Sequence, residues 1–158
     1  MNAAWTTMPS PVGDLLLQTD GEVLTAISFQ PFQPPSWDSE STAPILVLAR
    51  RQLEEYFGGQ RTDFDVPLSE SGTAFQRRVW SALRLIPYGK TASYGDIARR
   101  LELPPGASRA VGVANGANPI PIMVPCHRVI GGDGSLTGYA GGLARKQRLL
   151  QLEIPGLF

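Results

Sequence analysis

The sequence predicts two lobes, an N-terminal α/β lobe over residues 1–72 and a mostly α C-terminal lobe over residues 73–158 that contains a helix-turn-helix. Three observations support this fold class. A strand–turn–strand pattern and one helical pattern fill the first part of the chain, and further helical patterns, separated by Pro and Gly, fill the second. The net charge also changes sign near residue 75. A chain of 158 residues is long enough for two small lobes.

The first lobe begins with a predicted hairpin. Residues 14–19 are a candidate strand, Asp20-Gly21 is a dipeptide favoured in two-residue turns, and residues 22–29 complete the hairpin. Prolines predict a surface loop over residues 30–44. Residues 45–57 have helical spacing that ends at Gly58-Gly59, and residues 64–66 are a candidate last strand. No chemical motif lies in this lobe, so we expect it to serve packing.

The second lobe has clear helix signals. Thr73 with Gln76 forms a capping-box pattern before a helix with one apolar face. Ser93 is expected to cap a short helix over residues 94–101, and Ser108 another over residues 109–117, with the break Pro104-Pro105-Gly106 between them. Two short helices around a turn predict a helix-turn-helix.

The last of these helices is built almost wholly from small residues. Gly112 and Gly116 each cost about 1 kcal/mol inside a helix, so they indicate a close approach to a neighbour. Ordinary helix packing and a nucleic-acid backbone explain them equally well. Arg109 opens the helix, where its side chain is able to reach a groove or a vacated base position.

The charge of the chain is unevenly distributed. The formal net charge is zero, and the composition, 42% hydrophobic and 18% charged, excludes a disordered chain. Residues 1–74 carry three basic and ten acidic side chains (−7), and residues 75–158 carry eleven basic and four acidic ones (+7). An arginine-rich segment suits contact with phosphate. Attraction between the two lobes is the alternative explanation.

A single cysteine, Cys126, stands beside the single histidine, His127. The sequence therefore excludes an internal disulfide and a Cys/His zinc site. It has no apolar run near the ~20 residues that a membrane helix needs, and its first residues lack the order of a signal peptide. We expect a reducing cytoplasm, where Cys126 stays a free thiol.

The Cys-His pair follows an apolar run over residues 120–124, so we expect a half-buried thiol at the end of a stiff segment. Burial alone raises the pKa of a thiol and makes it inert. His127 is the obvious base, but adjacent side chains seldom point at each other, which favours a bridging water. A carboxylate that anchors the other ring nitrogen completes such a site, and Glu153 is our candidate.

Other interpretations of these residues stay open at this point. Cys126 is also compatible with an inert core cysteine, and Glu153 with a solvated residue at a helix end. A protease-like Cys/His pair is awkward, because such enzymes take base and nucleophile from separate segments.

The segment Pro125-Cys126-His127-Arg128-Val129, with Asn118-Pro119 before it and Gly138-Tyr139 and Gly141-Gly142 after it, resembles the O6-alkylguanine-DNA alkyltransferases. This family is also called the methylated-DNA–protein-cysteine methyltransferases. Ser93-Tyr94-Gly95, Arg109-Ala110-Val111-Gly112 and Leu149-Leu150 with Glu153 extend the resemblance. It runs from about Thr73 to Glu153 and is weaker across the N-terminal lobe.

The resemblance implies a ribonuclease H-like N-terminal lobe and a recognition helix in the minor groove of double-stranded DNA. The damaged nucleotide is flipped out and Arg109 takes its place. Ser93, Ala110 and Gly112 are the other implied DNA-binding residues. The partner is DNA that carries O6-alkylguanine, bound by a monomer, with cooperative binding on DNA left open.

The resemblance also implies the chemistry. Cys126 attacks the alkyl carbon of O6-alkylguanine, and also of O4-alkylthymine, while His127 acts on the thiol through water and Glu153 holds His127. Tyr94 donates to N3 of the base. The implied pocket residues are Asn118, Pro121, Met123, Val124, Val129, Tyr139, Ala140 and Lys146. Because nothing here hydrolyses the thioether product, each molecule acts once, as a DNA-repair protein without cofactor or metal.

One residue departs from the family pattern. Ala140 stands where some relatives carry Ser, which predicts a roomier pocket. Three rival functions remain: a non-enzymatic binder of alkylated guanine, a helix-turn-helix transcription factor and a cysteine hydrolase. The intact Cys126 argues against the binder. The scarcity of polar side chains on the recognition helix argues against major-groove readout.

Overall fold

The computed structural model describes residues 3–39, 42–139 and 141–157. The chain forms two compact units, Met1–Ser69 and Glu70–Phe158. Within the described ranges, no helix is both long and apolar enough to cross a membrane.

The N-terminal unit is a three-stranded antiparallel sheet with one helix. The strands β1 (Ala4–Met8), β2 (Leu15–Thr19) and β3 (Leu24–Phe29) lie in the order β1-β2-β3, and the helix α1 spans Pro44–Phe57. Apolar side chains of the sheet and of α1 form the core of the unit; those with no exposed surface include Leu15, Leu17, Leu24, Leu46 and Leu53. The predicted hairpin and the predicted helix are thus confirmed.

Strand β1 is not predicted by the sequence pattern. Its buried residues are Ala4, Thr6 and Met8, and Trp5 lies on the opposite side. Because a threonine faces inward and a tryptophan outward, the apolar–polar alternation that signals a strand is blurred.

The turn between β2 and β3 is longer than the predicted two residues. The paired strands end at Thr19 and resume at Leu24. The carboxylate of Asp20 accepts hydrogen bonds from the main-chain N–H of Glu22 (2.9 Å) and Val23 (3.0 Å). These side-chain bonds replace the ladder bonds that a tighter turn would have made.

The strand predicted at residues 64–66 does not form. Gln52 instead binds this segment: its Oε1 accepts from the main-chain N–H of Asp65 (3.1 Å), and its amide contacts the Asp65 carboxylate. Only an isolated bridge between Leu24 and Leu68 remains. Pro67 has no N–H with which to continue a ladder.

The C-terminal unit is mainly helical. Its helices are α2 (Ala74–Leu83), α3 (Tyr94–Arg100), α4 (Ser108–Gly116) and α5 (Leu143–Glu153), and its short strands β4 (Ala92–Ser93) and β5 (Val129–Ile130) pair in parallel. The capping box of Thr73 and Gln76 is confirmed, and Ser93 forms a second one with Asp96. Helices α3 and α4 form the predicted helix-turn-helix.

The predicted cap at Ser108 is wrong. Ser108 is the first residue of α4, and Ala107 precedes it without any side-chain cap. The main-chain N–H of Ala107 already donates to the Pro104 carbonyl (3.2 Å), so the chain turns helically before Ser108 is reached. The Trp80 indole of α2 donates to the Ala114 carbonyl of α4 (2.8 Å) and joins these two helices.

Candidate active site

Cys126 begins a single 3-10 turn, Cys126–Arg128, directly before β5. The thiol residue is only 4% exposed, so the expectation of a half-buried cysteine is wrong. The reason is the preceding segment, in which every residue from Ile120 to Pro125 is buried. The turn is therefore set into the core of the C-terminal unit rather than at its rim.

Asn118 braces the segment that leads to Cys126. Its amide nitrogen donates to the Val124 carbonyl (2.8 Å), and its amide oxygen accepts from the Ile120 N–H (3.0 Å). Inside this brace Ile122 has φ of 75°, a left-handed conformation that is rare for a β-branched residue. The Asn115 amide of α4 adds a bond to the Cys126 carbonyl (3.4 Å). The nucleophile candidate is thus held by a strained, hydrogen-bonded loop.

Burial raises the pKa of the Cys126 thiol above its usual value. Hydrogen bonds from the side chains of Asn118 and Tyr139, and the charge of Lys146, favour the thiolate and offset part of this effect. The resting residue is therefore a thiol at neutral pH, and its reaction requires a base.

His127 and Glu153 form the pair that the sequence analysis expected. The fully buried His127 donates from Nε2 to Oε2 of Glu153 at 2.7 Å. The other ring nitrogen, Nδ1, is also buried and has no hydrogen-bond partner among the described residues. The carboxylate of Glu153, at the end of α5, has no exposed side-chain surface, which excludes a solvated helix-end residue.

Arg128 is the residue of this cluster that sequence reasoning missed. It donates from Nε to Oε1 of Glu153 (2.8 Å) and from Nη2 to Oε2 (3.0 Å), and its Nη1 donates to the Ile86 carbonyl (2.7 Å). Its guanidinium also lies 5.7 Å from the centre of the Tyr88 ring. The signal was present in the sequence: an arginine that follows a buried apolar run needs a buried acid, and Glu153 is one of few acids in this lobe.

The charges of this cluster are balanced. Burial opposes the charged form of Glu153, but hydrogen bonds and charge from His127 and Arg128 outweigh it and lower the pKa of this carboxyl to about 2. Burial lowers the pKa of His127, the Glu153 carboxylate raises it in part, and the positive charges of Arg128 and Lys146 lower it again. Arg128 and Glu153 therefore form the ion pair, and His127 is neutral and able to accept a proton.

Tyr94, Thr137 and Lys146 form a second cluster in the same unit. The Thr137 hydroxyl donates to the Tyr94 hydroxyl oxygen (3.1 Å), and Lys146 Nζ donates to the Thr137 carbonyl (2.7 Å). The Lys146 ammonium lies 5.9 Å from the centre of the Tyr94 ring. Burial lowers the pKa of Lys146 to about 8. Tyr94 and Lys146 were predicted as site residues, whereas Thr137 was not.

The remaining predicted pocket residues divide into three groups. Pro121, Met123, Val124 and Val129 are buried. Tyr139 is partly exposed, and its side chain is one of the groups that lower the pKa of the Cys126 thiol. Ala140 lies outside the described residues.

The predicted DNA-binding residues lie on or beside helix α4. Arg109 and Ala110 are exposed, and Val113 on the same helix is 70% exposed. A Cβ added at Gly112 would meet the Tyr94 ring at 3.7 Å, an ordinary contact. Among the described residues, one added at Gly116 would meet no atom within 4 Å apart from its chain neighbours and the backbone of its own helix. Close helix packing therefore does not explain Gly116. The Ser93 hydroxyl accepts from the Asp96 N–H and caps α3.

Both units of the chain match models of one protein family. Residues 3–69 match a family model described as the ribonuclease-like domain of 6-O-methylguanine DNA methyltransferase, which confirms the expected fold of the first lobe. Residues 74–154 match the model of the DNA binding domain of the same family.

Curated relatives match over nearly the whole chain. The methylated-DNA–protein-cysteine methyltransferase of Mycobacterium tuberculosis (strain H37Rv) is 52% identical over 149 residues, 93% of this chain and 90% of the relative. The constitutive enzyme of Bacillus subtilis is 43% identical over 156 residues, 94% of each. The crystal structure of M. tuberculosis OGT in complex with DNA superposes with a TM-score of 0.88 at 50% identity, covering 97% of this chain and 96% of that one. Matches of this extent in sequence and in fold show that the chain belongs to the 6-O-methylguanine DNA methyltransferase family.

Proposed function

We propose that this protein repairs DNA by direct reversal, moving the alkyl group of O6-alkylguanine irreversibly to Cys126 as a methylated-DNA–protein-cysteine S-methyltransferase. The observation that carries this proposal is the His127 ring beside the cysteine. Its Nε2 is bound to Glu153, and its buried Nδ1 has no partner within the described part of the chain. A neutral imidazole held in this way is ready to take the thiol proton.

The transfer is an in-line displacement. A bond forms between Cys126 Sγ and the alkyl carbon, the bond between that carbon and O6 breaks, and its electron pair passes to the base. The thiol proton moves through a water to His127 Nδ1, and the imidazolium is stabilised by Glu153. The Tyr94 hydroxyl donates to N3 and meets the charge that builds on the departing base. The main-chain carbonyls of Cys126 and Val129 accept from the exocyclic amine.

The product explains why one molecule acts once. Cys126 becomes a thioether, which none of the groups around it is equipped to hydrolyse. The incoming alkyl group is already activated by its bond to the base, so the proposed reaction uses no cofactor. The purine anion left by the displacement takes a proton from the Tyr94 hydroxyl. The proton that the thiol gave to His127 returns through water to Tyr94, so the net products are neutral guanine and alkylated Cys126.

DNA recognition is assigned to residues 73–158, with α4 in the minor groove. The exposed residues of α4 include Ala110 and Gly116, whose small size permits a close approach to the backbone. Arg109 occupies the space of the flipped nucleotide, and Ser93 and Gly112 flank it. Asn118, Pro121, Met123, Val124, Val129, Tyr139, Ala140 and Lys146 surround the base. We further propose that the protein binds DNA as a monomer and works in the cytoplasm, where Cys126 stays reduced.

An intact-mass measurement tests this function. After incubation with a duplex that contains O6-methylguanine, the protein should gain one methyl group, located on Cys126 by peptide mapping. The Cys126→Ala variant is the matched control and should gain none. An unmodified mass with retained tight binding would support a non-enzymatic binder instead. A duplex with O4-methylthymine tests the second substrate in the same way.

A further inference from the structure

Thr137 lies in the loop between β5 and α5 and joins two residues of the proposed site. Its hydroxyl donates to the Tyr94 oxygen at 3.1 Å, and its carbonyl accepts from Lys146 Nζ at 2.7 Å. One residue thus contacts α3 through its side chain and α5 through its main chain.

Lys146 fixes the position of Thr137. The lysine has no exposed surface, and a buried ammonium requires an acceptor. The acceptor in this structure is the Thr137 carbonyl. Because α5 also carries Glu153, this bond ties the Thr137 loop to the helix that holds His127.

The direction of the bond to Tyr94 matters for the chemistry. A hydroxyl has one hydrogen to donate and two lone pairs to accept with. When Thr137 supplies the hydrogen, the hydrogen of Tyr94 is not used in this bond and is available to the base. A bond accepted by the phenol oxygen also polarises the hydroxyl and strengthens its own donation.

We propose that Thr137 is a positioning residue for the alkyl transfer, whose hydroxyl orients Tyr94 so that Tyr94 donates to N3 of the flipped base. This inference rests on the proposed function and deepens it. It identifies the residue that determines the direction of the Tyr94 hydroxyl. Its effect acts through Tyr94, so it should exist only for a base that has an acceptor at position 3.

Single-turnover transfer rates on two substrates test this. One duplex carries O6-methylguanine and the other O6-methyl-3-deazaguanine, in which a C–H replaces N3. Thr137→Val removes the hydroxyl but keeps the shape and the main-chain carbonyl that Lys146 needs, and Thr137→Ser keeps the hydroxyl. We expect Thr137→Val to react about tenfold more slowly than the wild type on O6-methylguanine, the effect of one lost bond to a group that meets developing charge. We expect it to equal the wild type on the deaza substrate, and Thr137→Ser to be close to the wild type on both.

The possible outcomes distinguish a failure of the Thr137 inference from a failure of the proposed alkyl transfer. Equal slowing of Thr137→Val on both substrates would show a general role of the loop and overturn the inference, as would no slowing on either. A wild type insensitive to the deaza substitution would overturn the contact between Tyr94 and N3, and the inference with it. Absence of any methyl group on wild-type Cys126 would overturn the proposed function itself. In a Tyr94→Phe background, Thr137→Val should have no further effect, and an additive loss there would again contradict the inference.

Discussion

Glu153 serves two partners with one buried carboxylate. Oε2 accepts from His127 and from Arg128, and Oε1 accepts from Arg128. The two hydrogen bonds from Arg128 fix the plane of the Glu153 carboxylate, and the oriented carboxylate in turn fixes the orientation of the His127 ring. Arg128 therefore helps to fix the orientation of the His127 ring and lowers its pKa.

Replacing Arg128 should change the pH dependence of transfer. His127 is faced by Glu153, Arg128 and Lys146, and the charge of Arg128 lowers its pKa. In Arg128→Gln that charge is gone, so the pKa of His127 rises and the ring is protonated at higher pH. Since only the neutral ring accepts the thiol proton, the acid limb of the rate profile should move to higher pH.

Single-turnover rates between pH 5 and 9 measure this shift. Arg128→Lys is the control: it keeps the positive charge but not the bidentate geometry, so its acid limb should stay near that of the wild type while its maximal rate falls. Breaking a buried ion pair costs about 3–5 kcal/mol, so folding of both variants is checked by thermal melting. An unmoved acid limb in folded Arg128→Gln would contradict the charge argument.

For single residues, the sequence predicted which side chains belong to the candidate site better than it predicted their burial and contacts. The pairing of His127 with Glu153 could be inferred, because a base beside a thiol needs an anchor and few acids were available. The near-complete burial of Cys126 could not, since it depends on how the braced segment before it packs. Arg128 was missed although the scarcity of acids in this lobe pointed to Glu153 as its partner. Thr137 was missed because its role arises from a contact across 43 residues, with Tyr94, that no local pattern encodes.

Among the helices and strands, α4 contains a residue, Gly116, for which helix stability and the proposed DNA contact favour different side chains. Gly116 ends this helix on its exposed side, and a Cβ there would meet no atom of the described residues within 4 Å beyond its chain neighbours and the helix backbone. Glycine is the costlier choice at such a position. The described residues offer no packing reason for it, which agrees with the proposed approach of DNA to this side of the helix.

Gly116→Ala should separate the two effects. We expect the free energy of unfolding to rise by about 0.5–1 kcal/mol, because alanine loses less entropy in a helix. We also expect weaker binding to duplex DNA, because the added methyl group stands on the face assigned to the groove. Denaturant melts and fluorescence-anisotropy titrations measure these quantities, and unchanged DNA affinity in a stabilised variant would place the groove elsewhere.

Capping and periodicity predicted most elements of both units. Errors occurred where a side chain takes over a main-chain bond, as Asp20 does in its turn and Gln52 does beside residue 65. Another occurred at Ser108, where the preceding turn is already helical. Strand β1 was missed because its inward face includes a threonine, which local hydrophobicity alone does not assign to a core.

At the scale of the whole molecule, the zero net charge conceals a strong asymmetry. Residues 75–158 have a formal charge of +7 and include α4 and Cys126, and residues 1–74 have −7. Such a chain should bind undamaged DNA weakly through its basic part alone. Each phosphate contact adds about −0.9 to the slope of log affinity against log salt concentration.

Arg109 should affect lesion binding without changing this slope. If its side chain fills the space of the flipped nucleotide, Arg109→Gln removes no phosphate contact. We expect the variant to lose most of the preference for duplex with O6-methylguanine over undamaged duplex. The slope of log affinity against log salt concentration between 50 and 200 mM, about −0.9 per phosphate contact, should be unchanged. A slope smaller by a full contact would make Arg109 a phosphate ligand instead.

The burial of Cys126 has a consequence that outlasts the reaction. The thiol sits at 4% exposure in a tightly packed turn, and the transferred methyl group stays there for good. Overfilling a packed site costs about 1–3 kcal/mol, which lowers the melting temperature of a protein of this size by about 5 °C. Melting curves of the protein before and after stoichiometric methylation, with the DNA removed, measure this difference, and identical curves would mean that the site accommodates the methyl group freely. If the curves differ as expected, the methylated protein is less stable to heat than the unmodified protein, so each repair event leaves a lasting change in stability.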